Sequence, residues 1–329
     1  MKFGLVPLDQ ARGAILAHSE AVDGKRLRKG QCLTDDHIAA LRKAGRADVT
    51  VARLDPGDLH EDEAAAVLAR SLNDGASHVH AGAPFTGRVN LIADRPGMVR
   101  IDAERINAAN AVDPMITVAT VPDYHQIHPG GMIATVKIIA YGVPGRALDR
   151  AKDLARGAVR LAIATHATAS LIVTESPGGP GDKGVEAIEA RVTGLGMTLA
   201  EIRRCEHDSA ELAGEIAAAS GDIVLILTVS ATSDSCDTAP EALRRAGGRL
   251  IRFGMPVDPG NLLFIGKISG RPVIGLPGSA RSPVLHGADW VLARVACGLS
   301  AGSDDIAAMG VGGLLKEIPT RPQPRRPRG

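Results

Sequence analysis

The stretch Asp222-Ile223-Val224-Leu225-Ile226-Leu227-Thr228 decides the fold class. An unbroken apolar run of strand length reads as a strand covered on both faces rather than one lying between core and water. Ala169-Ser170-Leu171-Ile172-Val173-Thr174 upstream has the same form. Between the two, Gly184 to Leu195 sets Val185, Ile188 and Val192 on one face at helical spacing. Thr198 to Arg203 follows as a strand and Ser209 to Ala219 as a helix. Downstream, Pro240 to Ala246 is a predicted helix. Arg249 to Phe253, Leu262 to Lys267 and Pro272 to Leu276 are predicted strands, and Pro283 to Cys297 is a closing helix. Strands alternating with helices predict an α/β fold over residues 165–310: a three-layer, open, mostly parallel sheet. Ligands of such sheets bind outside the carboxyl ends of the strands, so the loops after each strand are the places to look for chemistry.

The N-terminal part reads differently. Residues 1–155 are expected to form an accessory α+β module. Leu5 to Asp48 reads as helix and turn pieces, with a short helix opening at Pro7 and another after Thr34. Thr34 is a suitable N-cap, Asp35 and Asp36 complement the helix dipole, and Ile38, Leu41 and Ala44 share a face before Gly45. Val49 to Leu54 alternates like a strand, and Glu61 to Leu72 reads as a helix. Short strands at 87–93, 97–101, 116–121 and 132–141 surround a helix at 102–110. Residues 311–329 are Pro/Arg-rich and are expected to be an extended tail.

Composition narrows the function. The 329 residues are 45% hydrophobic, enough for a sizeable core, but only 2% aromatic, too few for a stacking platform that binds single-stranded nucleic acid. A formal net charge of +1 gives no global field toward nucleic acid or an anionic membrane. Cys32, Cys205, Cys236 and Cys297 form no C-x-x-C pair, which points to reduced thiols and a cytoplasmic protein. No apolar run approaches the ~20 residues of a membrane helix. The histidine pairs His78/His80 and His125/His128 lack acidic ligands at a fixed spacing, and no G-x-S-x-G elbow is present for a serine hydrolase.

Three loops remain. Thr174-Glu175-Ser176-Pro177-Gly178-Gly179-Pro180-Gly181-Asp182-Lys183 joins a buried strand to a helix, but lacks the P-loop ending and the G-x-G-x-x-G pattern. It reads equally as a Gly/Pro-rich surface turn. Thr228 to Ala242 offers hydroxyls and amides at Ser230, Ala231, Thr232 and Ser233. It also places Asp237 just before a helix, where an N-cap role and a ligand role are compatible. Gly254 to Asn261 and Gly275-Leu276-Pro277-Gly278-Ser279-Ala280-Arg281-Ser282 supply two Pro-Gly turns, and Arg281 could assist the binding of an anion.

Taken in order, Asp222 to Thr228, the Ser/Thr loop, Asp237-Thr238-Ala239-Pro240-Glu241-Ala242, Asp258-Pro259-Gly260 and Gly275-Leu276-Pro277-Gly278 resemble the molybdopterin-binding domain. Molybdopterin adenylyltransferases and molybdopterin molybdotransferases share that domain. The likeness covers about residues 168–300 and extends loosely to Gly30 to Leu54. The whole is most similar to bacterial molybdopterin-binding proteins that occur alone or ahead of a nucleotidyltransferase domain. The resemblance implies a role in molybdenum-cofactor biosynthesis, with molybdopterin or its nucleotide form as ligand or substrate and Mg²⁺ as an accompanying ion. It implies catalytic roles for Asp237 and Asp208, and Asp237 as metal ligand. Cofactor contacts fall on Thr174, Glu175, Asp182, Ser230, Ala231, Thr232, Ser233, Pro259, Gly260, Gly275, Pro277, Gly278 and Ser282. The implied partners are a cofactor nucleotidyltransferase or a molybdoenzyme, and the chain is expected to form a homo-oligomer.

The sequence departs from the family at telling places. Val229 and Ser230 stand where the ligand loop has adjacent glycines, and Ser279-Ala280 replaces the Asn-Pro that follows Gly-Leu-Pro-Gly. Either the Val229 and Ser230 side chains hinder close phosphate approach, or the Ser230 hydroxyl replaces an amide contact. Three rival readings stand beside this one: a non-catalytic carrier or sensor of the cofactor, which the missing glycines favour, an enzyme acting on a nucleotide or pyrophosphate on the same domain, and a structural interaction protein with no ligand.

Overall fold

In the computed structural model, which describes residues 1–22, 24–180 and 182–315, the buried run becomes an inner strand of a six-stranded sheet. Its strands are β1 (Thr168–Glu175), β2 (Thr198–Glu206), β3 (Ile223–Leu227), β4 (Arg249–Phe253), β5 (Phe264–Ile268) and β6 (Arg271–Leu276). Across the sheet the order is β2-β1-β3-β6-β5-β4. The pairs β2/β1, β1/β3 and β3/β6 are parallel, while β6/β5 and β5/β4 are antiparallel. Chain order reverses between β1 and β3. β2 lies on one side of β1 and everything later lies on the other, so the carboxyl ends of β1 and β3 flank the crevice where such sheets bind ligands.

Helices α1 (Val185–Gly194), α2 (Ser209–Ala218), α3 (Thr238–Arg245) and α4 (Gly287–Ala296) fill the connections. Leu212 and Ile216 of α2 and Ala239 and Leu243 of α3 pack on Ile172, Val224, Ile226, Phe264 and Val273. The residues of opposite parity, Leu171, Val173, Leu225, Leu227 and Ile274, are just as buried, so the central strands are covered on both faces. At about 1.5–3 kcal/mol for each large aliphatic side chain removed from water, this core is the main force holding the sheet.

Element ends follow the capping chemistry. α3 begins at Thr238, two residues before the expected Pro240, because Asp237 takes the N-cap position and accepts from the Thr238 N–H at 2.7 Å. The closing helix starts at Gly287 rather than Pro283. His286 caps it, accepting from Ala288 N at 3.0 Å, while Asp289 accepts from His286 N at 2.8 Å.

Contacts divide the chain into two units: one of Met1–Asp94, Val99–His125 and Pro129–Leu161, the other holding the sheet together with Arg95–Met98 and Gln126–His128. In the first unit the reading of Leu5 to Asp48 as helix and turn pieces needs correction. Lys2–Pro7 is a strand, paired antiparallel with Asp48–Arg53, and Glu20–Val22 forms a hairpin with Lys25–Leu27. The strand is hard to read because Phe3 and Leu5 are exposed, so its apolar positions do not mark a buried face. The helix after Thr34 forms as expected over Asp35–Lys43, with Ile38 and Leu41 buried against Leu8, Leu16, Val49 and Val51. A second sheet of this unit orders Ile116–Thr120, Met132–Ile138, Arg88–Ala93 and Val79–Ala81. The molecule is thus a mixed α/β protein, with several sheets and helices. No helix among the described residues is long and apolar enough to cross a membrane. Residues 316–329, most of the expected tail, lie outside the described residues.

Candidate functional site

Each strand of the parallel half delivers a polar residue to the same edge. Thr174 stands near the end of β1 with its side chain buried, only 1% of the residue exposed. Its Oγ1 accepts from the Val229 N–H at 2.9 Å, tying the loop after β3 to the end of β1. It also lies 3.0 Å from His207 Nδ1, and His207 is the residue that follows β2. The other ring nitrogen, Nε2, is 3.0 Å from Ser230 Oγ in the loop after β3. Three strand ends therefore meet through one imidazole. The Thr228 hydroxyl fixes the same loop by donating to Ser230 O at 2.6 Å.

The loop after β1 is held from two sides. Arg204 of β2 pairs with Glu175 at 3.3 Å and with Asp182. Gly179 lies so close to Val229 that a Cβ on the glycine would sit 2.7 Å from Val229 Cγ2. Val229 thus fills space between the two loops. At the loop's end Gly184 adopts φ +98 and passes the turn after β6 closely: a Cβ there would come within 2.6 Å of Arg281 Cα. Both the conformation and the space require glycine.

Pro277 and Gly278 start the short 3-10 turn Gly278–Arg281 after β6. This turn presents Arg281, whose guanidinium donates to Lys183 O at 2.6 Å and Thr228 O at 2.9 Å. Both acceptors are neutral carbonyls, and no carboxylate among the described residues pairs with Arg281. Burial lowers its pKa from the ordinary value, yet an arginine remains a cation, so a positive charge stands uncompensated beside the loops. Below this turn, Arg191 of α1 spends all five of its N–H donors. It pairs with Asp289 and donates to the carbonyls of Ala187, Ala280, Ser282 and Val284. Ser282 takes part through that carbonyl, and its hydroxyl accepts from Val284 N at 3.3 Å.

The two aspartates singled out by the sequence are engaged by backbone. Asp237 accepts from Ser233 N at 2.9 Å with one oxygen and from Thr238 N with the other. These bonds, Ser233 first, hold its carboxyl below the usual carboxylate range. Asp208 caps α2, accepting from Ala210 N at 2.7 Å and Glu211 N at 3.1 Å, and is likewise lowered, mainly by the Glu211 bond. Among the described residues no group of three His, Cys, Asp or Glu could hold a metal ion. Asp237 thus stands among backbone donors rather than in a cluster of metal-ligating side chains among the described residues.

Three further candidates, Gly275, Gly260 and Pro259, serve packing and backbone pairing. Gly275 gives its space to Phe264: a Cβ would fall 1.9 Å from the ring. Gly260 packs on the first turn of α4, 2.8 Å from Gly287 N in the same sense, and Pro259 O accepts from Gly287 N at 2.8 Å. In the loop after β3, Thr232 is buried and Ala231 exposed. No described residue accepts from the N–H groups of Ser230, Ala231 or Thr232. Three successive donors beside a hydroxyl and near a cation suit an oxyanion. His207 is the residue that sequence reasoning passed over, although its position directly after a strand of the parallel sheet was a signal.

Comparisons with known proteins are sparse. A family described as Domain of unknown function (DUF8806) matches residues 5–53. No curated protein matches in sequence. Among solved structures, a molybdopterin biosynthesis MoeA protein from Pyrococcus horikoshii is 15% identical, with 84% of this chain and 70% of that one covered at a TM-score of 0.29. A molybdenum cofactor biosynthesis protein from Pyrococcus furiosus is 12% identical over 85% of this chain and 59% of that one, at a TM-score of 0.23. A second structure of a MoeA protein from P. horikoshii OT3 gives 11% identity, 84% and 69% coverage, and a TM-score of 0.24. The likenesses are distant, and at such TM-scores they fix neither the ligand nor the activity of this chain.

Proposed function

We propose that the chain binds molybdopterin, or a nucleotide-linked form of it, at the carboxyl edge of the sheet and serves molybdenum-cofactor biosynthesis as a binder rather than as a metal-inserting enzyme. The observation that carries this reading is the meeting of Thr174, His207 and Ser230 at the switch point, next to the N–H groups of Ser230 to Thr232 and the Arg281 cation. These donors suit the phosphate of the pterin. The ordered sequence resemblance supplies the identity of the ligand. Carriage is favoured over turnover because Val229 and Ser230 stand where the ligand loop of the resembled domain has adjacent glycines, and Asp237 and Asp208 already serve as helix caps. The expected partner is a molybdoenzyme or cofactor nucleotidyltransferase that receives the ligand.

The test is to supply molybdopterin anaerobically, release bound pterin, oxidise it with iodine and read its fluorescence. Stoichiometric pterin on the wild type that falls sharply in Ser230→Ala supports the reading. A wild-type protein that retains no pterin would end it, and nucleotides would be the next ligands to try. Molybdate-dependent turnover of the bound pterin would overturn the carrier role while leaving the site in place.

A further inference from the structure

The cluster at the sheet edge has a direction. Thr174 Oγ1 already accepts from Val229 N–H, and its own hydrogen needs an acceptor because the side chain is buried. Among the described residues the one group within reach is His207 Nδ1, at 3.0 Å. A nitrogen that accepts carries no hydrogen, so in the neutral imidazole the proton sits on Nε2. Nε2–H then donates to Ser230 Oγ, 3.0 Å away, and Ser230 keeps its own hydrogen to give to something else. Ser230 is exposed, so that donor is available to a ligand.

We infer that Thr174, His207 and Ser230 form a one-way hydrogen-bond chain that fixes His207 as the neutral Nε2–H tautomer and turns Ser230 into an outward donor for a phosphate oxygen. His207 is thus a positioning residue, and Ser230 makes the contact with the ligand. This rests on the placement of the ligand at this edge given above, and it deepens it by naming the group recognised. The opposite polarity, with Nε2 accepting from Ser230, would make Ser230 a nucleophile with His207 as its base. Thr174 would then have no acceptor for its hydrogen, which decides against it.

The wild-type protein reports the tautomer directly. Nitrogen-15 NMR of the neutral His207 imidazole separates the two tautomers. The expected result is the Nε2–H form, and the Nδ1–H form would overturn the proposal without bearing on pterin binding. Titration with inorganic phosphate, followed by the same resonances, tests the recognised group. Ser230→Ala and His207→Asn should each bind phosphate roughly tenfold or more weakly, as expected for a lost hydrogen bond to a charged group. His207→Gln places an amide N–H near the position of Nε2 and should recover most of the affinity, which a merely structural role for the ring would not produce. Phosphate that leaves His207 unperturbed, or covalent capture of Ser230 by a fluorophosphonate, would overturn it. A correct tautomer with phosphate binding but no pterin binding would end the molybdopterin reading alone.

Discussion

The two ends of the parallel sheet are both polar, but they use polarity in opposite ways. At the amino end, the carboxylates are consumed internally. Glu201 of β2 accepts from Ser170 Oγ at 2.6 Å, Ser220 N at 2.7 Å, Ser220 Oγ at 2.9 Å and Arg203 at 2.9 Å. Asp222 accepts from the N–H groups of Ala167 and Thr168 at 2.8 and 2.9 Å. Arg271 donates to the carbonyls of Ala219 and Gly221. At the carboxyl end Arg204 pairs with Glu175 and Asp182, but the link across three strand ends runs through Thr174, His207 and Ser230. Beside them the N–H groups of Ser230, Ala231 and Thr232 are left unspent among the described residues. A polar edge whose carboxylates are spent on its own chain is a fastening, and one with a row of backbone donors left over is a place for a ligand.

The contrast can be broken most forcefully at Glu201. Glu201→Ala strands the buried Ser170 hydroxyl and two donors of Ser220, and should cost about 3 kcal/mol in urea unfolding with no change in ligand binding. A comparable loss of binding would show that the two ends are not separate in function. A smaller effect follows with pH. Hydrogen bonds, the one from Ser170 foremost, lower the Glu201 pKa from 4.5 to about 2, and the Thr168 and Ala167 amides lower that of Asp222. A lowered carboxyl stabilises the fold above its unfolded pKa and loses that contribution as pH falls through the folded value. Stability should therefore decline between about pH 4.5 and pH 2, and Glu201→Gln should flatten that slope in unfolding curves.

At the other end the expected changes in stability shrink while those in binding grow. Asp237→Ala removes an N-cap and should cost about 1 kcal/mol, with Asp237→Ser recovering most of it in thermal melts. If serine also restores any loss of pterin binding, the aspartate acts by shaping its loop rather than by holding a metal. Ser230→Ala is exposed and should move stability by less than about 0.5 kcal/mol while depleting bound pterin. A large drop in its melting temperature would place Ser230 among the fastenings after all.

How much of this was legible in the chain depends on the range of the interaction. Asp222 to Thr228 could be read because a strand covered on both faces shows its burial in every residue. The strand Lys2–Pro7 could not, since Phe3 and Leu5 look outward and its partner lies more than forty residues on. Asp237 was legible as a cap because capping is local. His207 was not legible as a bridge, for its partners lie 33 and 23 residues away and only the strand order joins them. Gly275 shows the reverse difficulty. Its motif resembles a ligand turn, yet the space that its missing side chain leaves is taken by Phe264, a neighbour that no local pattern names.

Arg191 carries a consequence for how this chain can vary. One guanidinium holds three alternate carbonyls of the segment 280–284 together with Asp289, and a lysine could not match that fork. Mutations in the Ser279–Ser282 turn are thereby made conditional on residue 191. A turn that no longer offers its carbonyls leaves a buried cation short of partners, while a changed residue 191 releases the turn that carries Arg281. Drift at the two positions is coupled, and in a set of divergent sequences they should change together or not at all.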